Sequence, residues 1–306
     1  MIDLLKYYVI NKDKFVETLE NSHKVDLRLS VNSRTAEVSE KRTAYFNKTI
    51  FIDVTENNAS LKGSIHKYYN VTEELGNQNY NDFSYCNYKH AINHLQNSFS
   101  IDNDDTKITN LEFGLNIETK EDPEKLINNH ILMYDYKPPT INENFRGKGD
   151  YLEFKSTDYS IKIYNKSKQN AITDKNILRI ELKITGARYL KKHFNIYTLN
   201  DLDRNRFKLL FKKLLEHFNK LLIVDELILT KHDRIDEKML FQQGTNSNYW
   251  KEIRQNARNK LKFKNDFENL LKANCLLKTK NQLKFLLNDK FKEMMNCDLE
   301  ILKYIA

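Results

Sequence analysis

The sequence predicts an α+β protein: an antiparallel-sheet domain over residues 1–200, followed by an all-helical, basic domain over residues 201–306. Three observations carry this. From Ser160 to Lys183, Ile161 and Ile163 alternate with Lys162, Tyr164 and Lys166, and Leu178, Ile180 and Leu182 alternate with Arg179, Glu181 and Lys183. Alternation with period two is the mark of half-buried strands, with one apolar and one polar face. Beyond Ile184 the apolar spacing lengthens to the helical period of about 3.6 residues. The charge is also lopsided: residues 201–306 hold 22 Lys plus Arg against 15 Asp plus Glu, which is +7 of the chain's net +8.

Taken in order, Val25–Val31 alternates and reads as a strand, and Thr43–Val54, rich in Tyr, Phe, Ile and Val, as another. In Ala59–His66, Leu61, Gly63 and Ile65 oppose Lys62, Ser64 and His66. A polar loop containing Gly76 follows. Ala91, Ile92, Leu95 and Phe99 make Tyr85–Phe99 an amphipathic helix. Ile108–Ile117 is a strand with Leu111, Phe113, Leu115 and Ile117 on one face and Asn110, Glu112, Gly114 and Asn116 on the other. Asp122 and Pro123 open a short helix by the N-cap and N1 preferences, ending near Met133. Lys137–Gly149, with two prolines and two glycines, is a loop before the strands described first. Ala187–His193 and Leu199–Leu222 read as helices. Tyr249–Met295 reads as three helical segments with breaks near Lys264–Asn265 and Lys278–Thr279.

Composition excludes several classes. With 306 residues, 40% hydrophobic and 30% charged, the chain suits a globular core. No apolar run approaches the roughly 20 residues of a membrane span, and the N-terminus lacks a signal-peptide pattern, so a cytoplasmic protein with no membrane partner is expected. Cys86, Cys275 and Cys297 are odd in number and lack metal spacing, and are expected as reduced packing residues. No GxxxxGK[ST] or GxGxxG occurs, which argues against nucleotide hydrolysis and dinucleotide chemistry. The net positive charge favours an anionic partner. Its densest run, Trp250–Lys264, mixes aromatic side chains with Lys251, Arg254, Arg258, Lys260, Lys262 and Lys264 on helix, as nucleic-acid contact requires; a solvated helix face is the plainer alternative.

If the strands are neighbours, their polar faces assemble a chemical group: His66, Glu112, Glu181, Tyr164 and several cations. Two carboxylates and an imidazole are adequate ligands for Mg2+ or Mn2+. A tyrosine beside lysines can attack a phosphate, because nearby cations ease ionisation of a phenol whose reference pKa is about 10. An ordinary solvated sheet face would read the same way.

Four stretches together resemble the replication initiators of filamentous phages, the gene II protein family, and more distantly the plasmid rolling-circle initiators. They are LKGSIHKYYN (Leu61–Asn70), NLEFGLNI (Asn110–Ile117), IKIYNKSKQ (Ile161–Gln169) and ILRIELKITGARYLKKH (Ile177–His193). The likeness covers about residues 20–220, in matching order, and departs from many rolling-circle nucleases by lacking a paired His-apolar-His signature. It implies that Tyr164 breaks a DNA strand and that Glu112 and Glu181, with His66, hold Mg2+ or Mn2+. Lys166 and Arg179 would offset transition-state charge, and Lys162 and Lys183 would touch DNA. The products would be a 5′-phosphotyrosyl link and a 3′-hydroxyl for a host polymerase, with a helicase as a further partner. The basic helices would grip duplex origin DNA while the sheet takes a single strand. Two rivals stay open: a non-enzymatic DNA-binding regulator that uses the basic helices alone, and an RNA-binding protein that stacks bases on sheet aromatics.

Overall fold

Period-two alternation becomes nine antiparallel strands in one sheet. The computed structural model describes residues 1–22, 24–31, 34–140, 150–227, 235–253 and 257–297. Its first elements are β1 (Ile2–Val9), α1 (Lys12–Ser22), β2 (Arg28–Val31), β3 (Val38–Phe46), β4 (Ile50–Val54), β5 (Ala59–Ser64), α2 (Ile65–Thr72) and α3 (Tyr85–Phe99). After them come β6 (Thr106–Glu118), α4 (Pro123–Lys125), β7 (Ile131–Tyr134), β8 (Tyr151–Lys155), β9 (Tyr159–Asn165), α5 (Lys166–Gln169) and β10 (Ile177–Ile184). The remainder is α6 (Ala187–Phe194), α7 (Arg204–Asn219), β11 (Leu221–Ile223), α8 (Ile235–Thr245), α9 (Ser247–Glu252), α10 (Ala257–Ala273) and α11 (Lys278–Met295). The large sheet has the order β2-β3-β4-β5-β1-β6-β10-β9-β8, and β11 pairs with β7 in a separate ribbon. This is an α+β architecture, and β11 is a short strand inside the stretch expected to be wholly helical.

One face of the sheet is apolar throughout. Leu5, Tyr7, Ile50, Ile52, Leu61, Leu111, Phe113, Ile161, Ile163, Ile180 and Leu182 are all buried there. Helices cover that face. Phe207 of α7 is fully buried with its ring against Tyr85, Tyr88 and Phe113, a burial of the kind that stabilises by about 2–3 kcal/mol. Phe211 of α7 stacks on Phe291 of α11 at 3.9 Å. Residues on both sides of position 200 therefore share this core. A second cluster joins Met133 and Leu222 of the ribbon to Trp250 of α9 and Phe267, Leu270 and Leu271 of α10.

Several local expectations are corrected. Thr43–Val54 is a hairpin of β3 and β4, turned by Asn47 and Lys48 with φ of 46° and 58°; a residue pair in that left-handed region is the type I′ geometry, which Asn-Lys signals more weakly than Asn-Gly. His66 is on α2, not on a strand, because the Ser64 side chain accepts from the Lys67 N–H and caps a helix there. Lys166 likewise leaves its strand, since Asn165 caps α5 by accepting from the Lys168 N–H. Helix α10 runs unbroken through Lys264–Asn265, held by the buried Phe267. Cys86 and Cys297 form a disulfide with Cα atoms 5.9 Å apart, against the expectation of three free thiols, and Cys275 is exposed and free. No helix among the described residues is long and apolar enough to cross a membrane.

Candidate active site on the sheet

Strand register brings the predicted groups together. Across the polar face Arg179 of β10 lies opposite Tyr164 of β9, and Glu181 opposite Lys162. On the other side of β10, Lys183 lies opposite Glu112 of β6, and Glu181 opposite Gly114. Gly114 is required here: a Cβ on it would meet the Ile180 carbonyl oxygen at 2.7 Å and collide with Glu181. Its bare backbone lets β10 lie close with the Glu181 side chain folded over it.

The hydrogen bonds tie these residues into one network. Lys162 Nζ donates at 2.8 Å to both Glu112 Oε1 and Glu181 Oε1. The Tyr164 hydroxyl donates to Glu181 Oε2 at 3.2 Å, and Arg179 Nε donates to the same oxygen at 2.7 Å. Lys183 Nζ lies 3.3 Å from Glu112 Oε1. Lys166 Nζ sits 5.6 Å from the Tyr164 ring centre and donates to Asn79 Oδ1 at 2.7 Å and Gln169 Oε1 at 3.0 Å. A pocket of about 300 Å³ opens on Tyr164, lined also by Asp3, Lys67, Glu112, Lys162, Lys166 and Glu181.

Asp3 is the functional candidate that sequence reasoning missed. In the pairing of β1 with β6, Ile2 faces Phe113 and Leu5 faces Leu111, so Asp3 and Leu4 together oppose Glu112. This bulge re-aims Asp3 from the core face to the polar one. Its carboxylate accepts from Ser64 Oγ and from Asn79 Nδ2 at 2.8 Å, with Arg179 Nη2 at 3.7 Å. The alternation of Leu5, Tyr7 and Val9 marks the strand, but no local signal announces the extra residue.

Burial decides the electrostatics. Tyr164 is 9% exposed and Glu181 1%. Burial, reinforced by the Glu181 charge, drives the phenol of Tyr164 well above its usual 10. The lysines beside it were expected to ease its ionisation, and this network does the reverse. Burial would raise Glu181, yet Lys162 and Arg179 outweigh it and hold the carboxyl down at about 2. Glu112 moves up, through burial and the neighbouring Glu181 charge. Lys166 falls to about 8, through burial and the Arg179 charge.

The remaining predicted residues sit elsewhere. His66 is buried, stacked on Phe83 at 4.6 Å with Nε2 2.6 Å from Asn81 Oδ1. It shares a small cavity with Arg179 but does not line the Tyr164 pocket. The expected Mg2+ or Mn2+ set of Glu112, Glu181 and His66 is therefore not gathered at one point. Among the described residues no group of three or more His, Cys, Asp or Glu side chains could hold a metal ion. The carboxylates already accept from Lys162, Arg179 and Tyr164, with Lys183 in an ion pair beside them, so as it stands the donor set does not fit a divalent ion: one would have to displace the Lys162 ammonium. Lys162 spends its charge inside this network rather than at the surface. Lys251, Arg258 and Lys262 are exposed, and Lys260 and Lys264 half-buried. Lys264 lies 3.7 Å from Glu268 and over the Tyr136 ring. Arg254 lies outside the described residues.

No protein-family model matches the chain, and no curated protein does. Among solved structures the chain is similar to that of a rolling circle replication initiator protein from Geobacillus stearothermophilus. The identity is 11% and the TM-score 0.38, over 78% of this chain and 90% of that one. An overlap that loose transfers neither topology nor residue roles.

Proposed function

We propose that the protein is a replication initiator that nicks one strand of origin DNA through Tyr164, starting rolling-circle replication of a phage or plasmid. The observation that carries this is the Tyr164 hydroxyl, 3.2 Å from Glu181 Oε2 and opening on a pocket lined by lysines. The resemblance of four sequence stretches to filamentous-phage initiators supports it independently. In this reading the scissile phosphate enters the pocket beside Lys162 and Lys166. The phosphate draws Lys162 away from Glu181, and the carboxylate, relieved of that charge, accepts the phenol proton as the phenolate oxygen bonds to phosphorus and the P–O3′ bond breaks. Lys166, a stronger acid than an ordinary lysine, gives a proton to the departing 3′ oxygen. The products are a 5′-phosphotyrosyl link and a free 3′-hydroxyl that a host polymerase extends, a helicase opening the duplex ahead of it. The covalent link conserves the phosphodiester energy, so rejoining needs no ATP, in keeping with the missing phosphate-binding loop. Lys251, Arg258 and Lys262 hold the duplex through its phosphates.

The high phenol pKa and the mutual pairing of Lys162, Arg179, Glu112 and Glu181 favour a second reading, a DNA-binding regulator whose polar network is structural. Incubation with supercoiled DNA carrying the origin, in Mg2+, in Mn2+ and in EDTA, followed by a denaturing gel, separates the two. Nicking predicts relaxed circles and protein covalently bound to DNA, both absent for Tyr164→Phe. Duplex binding with no adduct under any of the three conditions would leave the regulator.

A further inference from the structure

The polar face of the sheet continues past the site onto β1, β5, β4 and β3, where its character changes. Strand register carries one row of side chains across it. Tyr45 lies opposite Phe51, Phe51 opposite Lys62, Lys62 opposite Lys6, and Lys6 opposite Asn110. Tyr45 is 66% exposed and its ring packs on Phe51 at 5.1 Å between centroids. Lys6 Nζ lies over the Tyr8 ring at 5.1 Å. Lys62 and Lys107 are exposed and form no ion pair with a described residue. Lys41 and Asp53 pair with each other at 2.8 Å. The row ends beside the site, because Asn110 precedes Glu112 by two residues on β6 and so shares its face. From Phe51 to Asn110 is three strand spacings, about 14 Å.

An exposed tyrosine and the half-buried rings of Phe51 and Tyr8, interleaved with lysines on a rigid sheet, match one ligand chemistry. Bases stack on the rings and phosphates meet the ammonium groups, and only unpaired bases offer their faces for this. We infer that this strip is a stacking platform for a single DNA strand, holding the nucleotides that flank the scissile phosphate. The choice of DNA over RNA rests on the nicking reading; the binding itself does not require cleavage.

The test uses the full chain carrying Tyr164→Phe, so that no strand is cut, and a fluorescein-labelled thymidine oligonucleotide read by anisotropy. Adding Tyr45→Ala is expected to weaken binding about tenfold, and Tyr45→Phe to restore it. Lys62→Ala is expected to lower the slope of log affinity against log salt by about one. Duplex binding by the same variants is expected to stay unchanged. Unaltered oligonucleotide binding by Tyr45→Ala overturns the platform. So does tighter binding of the matching RNA, or a change in sedimentation showing that Tyr45 joins two copies of the chain. Loss of oligonucleotide binding in the Tyr45 variant, with no adduct from the parent chain, would sink the nicking reading and leave the platform standing. An adduct with normal binding by the variant would do the opposite.

Discussion

On β3, β4, β5 and β1 the polar face of the sheet shows Tyr45 and Lys62 to solvent, while on β10 and β9 the same face encloses Lys162, Arg179, Glu181 and Tyr164. The side chains of Lys162 and Glu181 are 11% and 2% exposed. Both halves are built by the same alternation and belong to one sheet. They differ in what lies over them: Asn79 and the Lys166–Asn170 segment close over the second half and line its pocket, whereas the rings and lysines of the first stay open. Equal residue types thus meet unequal dielectric surroundings. In the open half a lysine is a surface charge that salt screens. In the closed half it is a counterion shared by two carboxylates, whose removal takes a partner from both.

Lys162→Met against Lys62→Met tests that difference most severely. Loss of the buried ammonium is expected to cost about 3–5 kcal/mol, while the exposed substitution stays within about 0.5 kcal/mol; urea unfolding at neutral pH measures both. Equal effects would erase the distinction between the halves. The same variant sharpens the metal question: calorimetric titration with Mn2+ is expected to show binding to Lys162→Met and none to the parent.

Acid unfolding gives an effect of similar kind. The Glu181 carboxyl is held at about 2 in the folded protein against 4.5 for an unperturbed glutamate. The unfolded chain therefore takes up the proton first, and the stability this group contributes is complete above pH 4.5 and lost as pH falls toward 2. That amounts to about 3 kcal/mol, partly offset by Glu112, whose shift runs the other way. Stability followed by urea midpoint from pH 5 to pH 2.5 should fall steeply in the parent and more gently in Glu181→Gln. A parallel fall in the two would show that Glu181 is not the group being lost.

The smallest expected effect belongs to Gly114→Ala. The added methyl group pushes against Glu181 and the Ile180 carbonyl, at about 1–3 kcal/mol. It is expected to lower adduct formation as well, by shifting the carboxylate that faces Tyr164. The open half offers a control in Tyr45→Ala, which is expected to leave thermal stability unchanged.

Much of this was readable beforehand, residue by residue. The strands around Leu111–Ile117, Ile161–Ile163 and Leu178–Leu182 announced themselves, and with them the shared face of Glu112, Tyr164, Arg179 and Glu181. The helix caps at Ser64 and Asn165 were also present in the sequence, but strand alternation overrode them, which misplaced His66 and Lys166. Asp3 could not be found from pattern, because a bulge in its pairing with a strand a hundred residues away aims it at the site.

By itself the sequence determined strand or helix where the apolar period is clear, as in Ile108–Ile117, Leu178–Leu182 and Tyr85–Phe99, and which side chains share a strand face; β1, α1, β8 and α8 lay outside that reading. Those properties follow from local periodicity, which needs no knowledge of neighbours. Only the tertiary structure decided strand order, the arrival of Asp3, the enclosure of four charges around Tyr164, and the sharing of the sheet's core by α7 and α11. Each of these depends on contacts between segments far apart in the chain, and so do burial and the charge partners that together set the pKa values of the site.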